Sequence, residues 1–458
     1  MSSRKRGLIF INLMIAGIVS SLLSTAMTTA LPAISKSFGV DIATGQWMTS
    51  GYSLVMGIVM PLSAFLVKKI PTKRLYLIGI VSFIVGEVLS IIPGSFAVMM
   101  IGRILQACGN GLVFAMTQVI ILTIYPKEQK GTMMGWYGMA ASAAPIIAPT
   151  LAGIIVDSIG WQYIFIFTMA IMIGALVMAF FVMTDILELQ PVTFDTMSFV
   201  LSIAAFGGIT LGIGNITKAG LFSLAAGLPL VIGLAGGVLF VLRQLHQEQP
   251  FLDVAILRKK EYALSVIASM LLYLALMGGT ILFPLLIQQI QGKSATVSGL
   301  VTLPGSLVTA IVSPFAGKLY DRFGIKKIFL VESILLLISN ACMCMIQANS
   351  ALWVLILLNA LRCLGIGGLM MPLLTWGTSF VTKSKVSDAS ALLTSLRTVA
   401  GSIGAALCAG LLSSGATPIA GLHSAFLFVT VCCILMLLIA VYVSILKKPA
   451  AESQKSGK

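Results

Sequence analysis

Charge is almost absent from the long stretches of this chain. Apolar runs of about 20 residues, the length that carries a helix across a bilayer core, follow one another from end to end, and lysine and arginine gather in the loops between them. Read in a window of about 19 residues, the sequence gives fourteen such segments: 8–31, 46–67, 75–93, 97–124, 133–156, 162–184, 196–215, 221–242, 263–286, 296–317, 328–347, 351–376, 388–412 and 422–446. Membrane barrel strands would be about 10 residues long and would alternate; these runs are continuously apolar. Charged residues make up 9% of the chain, against about 25% in a soluble domain, so a water-soluble fold is excluded. The expected fold is an all-α polytopic membrane protein with fourteen transmembrane helices.

Loop charge sets the orientation. With the N-terminus inside, 23 basic residues fall on the cytoplasmic side, and only Lys36, Lys218 and Lys293 fall outside. An even number of spans puts both termini in the cytoplasm. The net charge of +15 is thus a topology signal. Nucleic-acid binding would gather basic residues on one soluble face, and here they are spread over many short loops. The expected partner is the lipid bilayer, with no nucleic acid.

Several other functions lose their footing. The run from Leu8 to Leu31 is longer than a signal-peptide core and reads as an uncleaved first span. All seven cysteines lie within spans, where free cysteine packs as a small hydrophobe. With only His246 and His423, neither a metal nor a cofactor is expected. Gly292-Lys293-Ser294 is preceded by Ile287 where a phosphate-binding loop needs glycine, so this chain does not drive transport with ATP. No convergent acid, base or nucleophile cluster suggests a membrane enzyme. The loop 243–262, with Phe251, Leu252, Ile256 and Leu257 among charges, reads as an interfacial helix.

The chain repeats itself weakly. Lys68-Lys69-Ile70-Pro71-Thr72-Lys73-Arg74 follows the second span, and the stretch from Gly317 to Lys327 closes the tenth. Arg103 lies early in the fourth span and Arg362 inside the twelfth. Small residues fill 138–153 in the fifth span and 400–406 in the thirteenth. Features recurring in the same order and orientation give two parallel six-helix halves, a transporter architecture. The expected organisation is 1–184 and 263–446 as halves, 185–243 as an inserted helix pair, 244–262 as a linker and 447–458 as a basic tail.

These residues carry a family resemblance. Gly317 to Lys327 matches the G-x-x-x-D-R-x-G-x-K/R-K/R loop of the major facilitator superfamily. Arg103 to Gly109 resembles its fourth-helix R-x-x-Q-G-x-G motif. Pro145 with Ala148-Pro149-Thr150-Leu151-Ala152-Gly153 resembles the fifth-helix signature of its proton-coupled exporters. The inserted pair, opening at Phe194-Asp195, is similar to the fourteen-span drug:proton antiporter branch (EmrB/QacA-like). The resemblance implies a cell-membrane antiporter that exports small amphipathic organic compounds, including drugs, against protons by alternating access. The alternatives are export of one endogenous metabolite or lipid, or a transporter-like protein not coupled to protons. Two departures matter. Leu23 stands where that branch carries a first-helix Asp, and Thr28 where it carries Asn. In the first loop signature Lys68 replaces Asp and Pro71 replaces Gly.

Ionisable groups inside a membrane are functional candidates by default. Glu87 is the only acid well inside a span. Counting along the helices at about 1.5 Å per residue sets Glu87 and Arg103 both about 9 Å below the outer surface on adjacent spans. Together they read either as a proton-coupling pair or as a permanent ion pair. Gln106, Asn110, Phe114 and Thr117 continue one face from Arg103; with Ser24 and Thr28 on the first span and Arg397 on the thirteenth they form the candidate substrate cavity. The stripe reads as cavity lining or as interhelical packing, and Arg397 either binds a substrate anion or pairs with Asp388 or backbone carbonyls. Pro145, Pro149, Gly153, Gly317, Asp321, Arg322, Gly324 and Arg362 are the candidate switching residues.

Overall fold

The computed structural model describes residues 2–40, 42–45, 47–92, 94–189, 195–219, 223–247, 250–293 and 295–445. The basic tail 447–458, Gln46, Pro93, Phe194 and the side chains of Pro145, Pro149 and Lys218 lie outside the described residues. The first six long helices are α1 (Ser3–Phe38), α2 (Trp47–Lys69), α3 (Thr72–Ile91), α4 (Phe96–Ile124), α5 (Lys130–Ser158) and α6 (Gln162–Val182). An inserted pair follows. Its first member, α7, runs Thr196–Ser202, through a π turn at Ile203–Gly207, into Gly208–Ala219; its second is α8 (Leu224–His246). The last six are α9 (Lys260–Leu285, extended by a π turn Leu286–Ile290), α10 (Ala295–Phe323), α11 (Ile325–Met343), α12 (Leu352–Thr378), α13 (Val386–Ser414) and α14 (Pro418–Ile445).

Each expected span coincides with one of these helices, and several helices run past the apolar limits. α1 begins at Ser3, with the Ser2 hydroxyl capping the Lys5 amide, and stops at Gly39, whose φ of 65° is left-handed. Polar ends extend the backbone ladder at little cost once the apolar middle has nucleated it. Twelve of the described helices are long and apolar enough to cross a membrane; α5 and α11 fall outside that set. α11 is only 19 residues long and carries Lys326, Lys327 and Glu332.

α1–α6 pack chiefly among themselves, as do α9–α14, and the two groups meet along α5 and α10. Within the first group α3 lies against α4 at close range: a Cβ on Gly86 would stand 2.4 Å from the carbonyl oxygen of Gly102. Small residues permit such approach where lipid supplies no hydrophobic drive.

The inserted pair covers the flank where α2 and α13 meet, touching both through α7. Asp195 caps α7, accepting from the amides of Met197 and Ser198, and forms a two-point ion pair with Arg243 of α8 at 2.8 and 3.0 Å. The guanidinium holds the Asp195 carboxyl well below the usual carboxylate range. Its contribution is present above the unfolded-state pKa of about 3.9 and falls away as pH drops toward the lowered native value.

The segment after α8 departs from expectation. Among its described residues it forms a short turn, Val254–Arg258, instead of an interfacial helix. Phe251 and Leu252 are 2% and 0% exposed, and Phe251 stacks on Phe65 of α2 at 5.6 Å. The apolar residues found a protein groove to fill, which buries them on all sides instead of on one.

Candidate functional site

The two groups of helices are sealed at one end of the bundle, the end that carries Lys68, Lys130, Lys259, Arg322 and Lys385. Two contacts made by matching helices form the seal. At the end of α10, Asp321 accepts from the amides of Gly131 and Thr132 at 2.8 and 2.7 Å and from the Thr132 hydroxyl at 2.6 Å. Those groups open α5, so a carboxylate meets the positive pole of a helix N-terminus. Gly317 and Gly131 touch backbone to backbone there: a Cβ on Gly317 would lie 2.1 Å from the Gly131 carbonyl oxygen.

At the end of α2 the repeat places Lys68 where an acid is expected. Its Nζ reaches Oδ2 of Asp388, in the first turn of α13, at 2.6 Å, and both side chains are buried. The departure in the first loop signature is thereby explained. Here a lysine on α2 meets an acid at the start of α13, where in the other half α10 presents the acid itself to the start of α5. The pairing of Asp388 also removes one reading of Arg397. Lys385 at 2.5 Å from Asp253 continues the network at the rim, and Thr394 of α13 donates to Gln118 of α4 across the seam.

Further from the basic end the seam parts. A Cβ on Gly135 or Gly138 of α5 would meet Ser313 or Met371 within 3 Å, whereas nothing lies within 4 Å of Gly153. Thr28 of α1 and Thr398 of α13 are exposed. Of the expected cavity residues, Thr28 is exposed, and Ser24 and Phe114 are half-buried. Phe114 stacks at an angle on Tyr137 of α5, 6.0 Å between ring centres. Arg397 is buried, 1% exposed, with its guanidinium 4.8 Å over the Tyr273 ring of α9; its Nε and Nη2 have no hydrogen-bond partner.

The rest of the α4 stripe is turned elsewhere. Gln106 donates to Ser90 of α3 at 3.0 Å and accepts from Arg103 at 2.6 Å. Asn110 donates to the Tyr52 hydroxyl of α2 at 2.7 Å, and the Thr117 hydroxyl returns to Val113 of its own helix. These polar groups join helices within one half, because α4 is enclosed on most sides and an unpaired amide there costs more than a packed one.

Glu87 and Arg103 are not ion-paired. Arg103 donates to the Met48 carbonyl at 3.1 Å and to Gln106, with its guanidinium 4.3 Å over the Tyr52 ring. Glu87 is fully buried on the side of α3 facing α6, beside Thr168. The two residues stand at matching levels, beside the touching glycines Gly86 and Gly102, but their side chains point to different neighbours.

Arg362, expected at the switch, also works inside one half. Its Nη2 donates to the carbonyls of Ala275 and Leu276 at 2.6 and 2.9 Å and ties α12 to α9. Arg322 stacks on Phe323 at 5.1 Å and takes no part in the seal. Gly324 turns the chain between α10 and α11 with φ of 72°, a conformation that favours glycine. Lys68 and Asp388 were not singled out as partners by sequence; the signal was the misplaced charge in the first loop. No cluster of metal-ligating side chains occurs among the described residues.

Residues 13–405 match the family model described as Major Facilitator Superfamily. The chain is 31% identical over 395 residues to the "Uncharacterized MFS-type transporter YhcA" of Bacillus subtilis, covering 86% of this chain and 74% of that protein. It is 28% identical to the "Lincomycin resistance protein LmrB" of Listeria monocytogenes, covering 89% and 86%. It is 26% identical to the "Multidrug export protein EmrB" of Haemophilus influenzae, covering 87% and 79%. Among solved structures, the human organic anion transporter MFSD10 superposes with a TM-score of 0.71 over 96% of this chain and 100% of that one, at 14% identity; the likeness is one of fold.

Proposed function

This chain belongs to the major facilitator superfamily, a membrane transporter and not an enzyme, and from that premise we propose that it exports amphipathic organic compounds by proton-coupled antiport. The observation that carries the reading is the seal itself. Its contacts join one half to the other at the basic end, through a few polar groups that can part together, whereas further along α5 nothing lies within 4 Å of a Cβ on Gly153. Rocking of two such halves around a central site is how transporters of this architecture alternate access. Relatives named for lincomycin resistance and multidrug export support a drug-like cargo. On this reading all fourteen helices span the membrane.

The basic end is the cytoplasmic one by its charge, so the conformation described is outward-facing. Epitope tags in loops 185–195 and 377–387 should then be reachable only from the cytoplasm, and a tag near Lys218 only from outside. Labelling of the 377–387 tag from outside would defeat the orientation and the span count together.

Coupling is assigned to Glu87, the acid enclosed in the first half. An ionisable group held inside a membrane is costly and a functional candidate by default. In purified vesicles, Glu87→Gln should abolish accumulation driven by an imposed pH gradient and leave downhill substrate exchange running. With no ion pair to Arg103 to break, folded yield should stay near wild type. A Glu87→Gln protein that still concentrates substrate against its gradient would remove Glu87 from the mechanism.

A further inference from the structure

A cavity of about 760 Å³ opens on the membrane-facing side of the first half, running along α3 from its basic end and backed by Leu105 of α4 at the level of Ser82. Leu77, Ile78, Val81 and Val85 of α3 and Leu105 of α4 form its apolar wall. Its rim is charged: Lys73 and Arg74, in the first turn of α3, and Asp185, just after α6.

The three charges are not equivalent. Oδ1 of Asp185 accepts from the Lys73 backbone amide at 3.0 Å. The Lys73 ammonium stands 5.0 Å over the ring of Phe180, so it too is held at the mouth. Arg74 is exposed and has no ion-pair partner among the described residues. The rim thus carries one net positive charge, with two cations side by side.

The wall has a definite length. From Lys73 to Val85 the helix rises about 18 Å at 1.5 Å per residue. One leaflet contributes about 15 Å of hydrocarbon, half of the 30 Å core. A ligand that fills the cavity therefore needs an acidic head at the level of Lys73 and Arg74 and an apolar tail as long as one leaflet is deep. The geometry points to a phospholipid with a net negative headgroup, taken from the leaflet at the basic end. Its phosphodiester sits between Arg74 and Lys73, and one acyl chain lies along Ile78, Val81 and Val85.

The site is tested by lipid retention on the full chain. The purified protein is equilibrated with phosphatidylglycerol and phosphatidylcholine of identical acyl chains, and retained lipid is weighed on the intact protein by native mass spectrometry. Wild type should keep phosphatidylglycerol in preference. Each basic residue near an anionic lipid surface contributes about a fivefold factor, so Lys73→Gln/Arg74→Gln should lower that preference about 25-fold. Val81→Trp fills the wall with the charges intact and should lower retention of both lipids; it decides the matter if the charge variant does not fold. An unchanged lipid preference in the charge variant, or unchanged retention in Val81→Trp, overturns the proposal. Complete displacement of the lipid by inorganic phosphate overturns it as well, since the cavity would then be an anion site without a tail.

Discussion

Asp388→Asn should release the seal. The Lys68–Asp388 contact is buried, 2.6 Å long, and spans the two halves. Removing one partner of a buried pair costs about 3–5 kcal/mol, mostly by stranding the other charge. The cost falls only on the sealed conformation, because opening the seam exposes Lys68 to water. At 1.4 kcal/mol per factor of ten, the balance should move roughly two to three and a half orders of magnitude toward the state open at the basic end. Lys68→Asp should be worse, since it sets two carboxylates face to face. The exchange Lys68→Asp/Asp388→Lys should restore most of the seal. Recovery should fall short by about 0.3–1 kcal/mol, because a lysine in the first turn of α13 opposes the helix dipole. Spin-label distances across the seam, between α2 and α13, report the populations. If Asp388→Asn leaves the distance distribution unchanged, or the exchange restores nothing, the pair does not hold the halves together.

Asp321→Ala should act on the other side of the pseudo-symmetric seal with a comparable effect. It deletes three hydrogen bonds to the start of α5. Bonds to a charged acceptor contribute about 1.5–3 kcal/mol each and do not add fully when they share an acceptor. A loss of about 3 kcal/mol or more in the sealed state is therefore expected. Asp321→Asn keeps one acceptor oxygen and should fall between Ala and wild type. Gly317→Ala reaches the same locus without touching a charge, since its Cβ would collide with the Gly131 backbone. All three variants should increase labelling of a single cysteine introduced at Ser313 from the basic side and slow turnover. Normal turnover in Gly317→Ala would mean the helices do not come this close during transport.

The two locks differ in how far the sequence foretold them. The loop from Gly317 to Lys327 matches its family's pattern, and a mechanical role for Asp321 was legible there. What it meets, the backbone amides of Gly131 and Thr132, was not, because amides carry no signature in a sequence. Lys68 read only as a departure. Its meaning lies 320 positions away at Asp388, in a half of the molecule whose docking no local pattern encodes.

Hydropathy and loop charge by themselves located the helices, with limits that the structure extends by up to about seven residues, and set the expectation for the repeat and the orientation. These follow from one-dimensional physics: the length of an apolar run against the thickness of a bilayer, and the cost of moving a charged loop across it. Depth along a helix is of the same kind, so Glu87 and Arg103 could be placed at matching levels from a residue count. Azimuth is not. Which neighbour a side chain faces depends on how each helix is rotated and packed, and there Arg103 chose Met48, Gln106 and Tyr52 while Glu87 turned toward α6. The same freedom turned Gln106 and Asn110 inward, drew Phe251 beneath α2 and gave Arg362 to α9. Only tertiary structure decided these, because each is settled by competition among polar partners that become available once the helices have met.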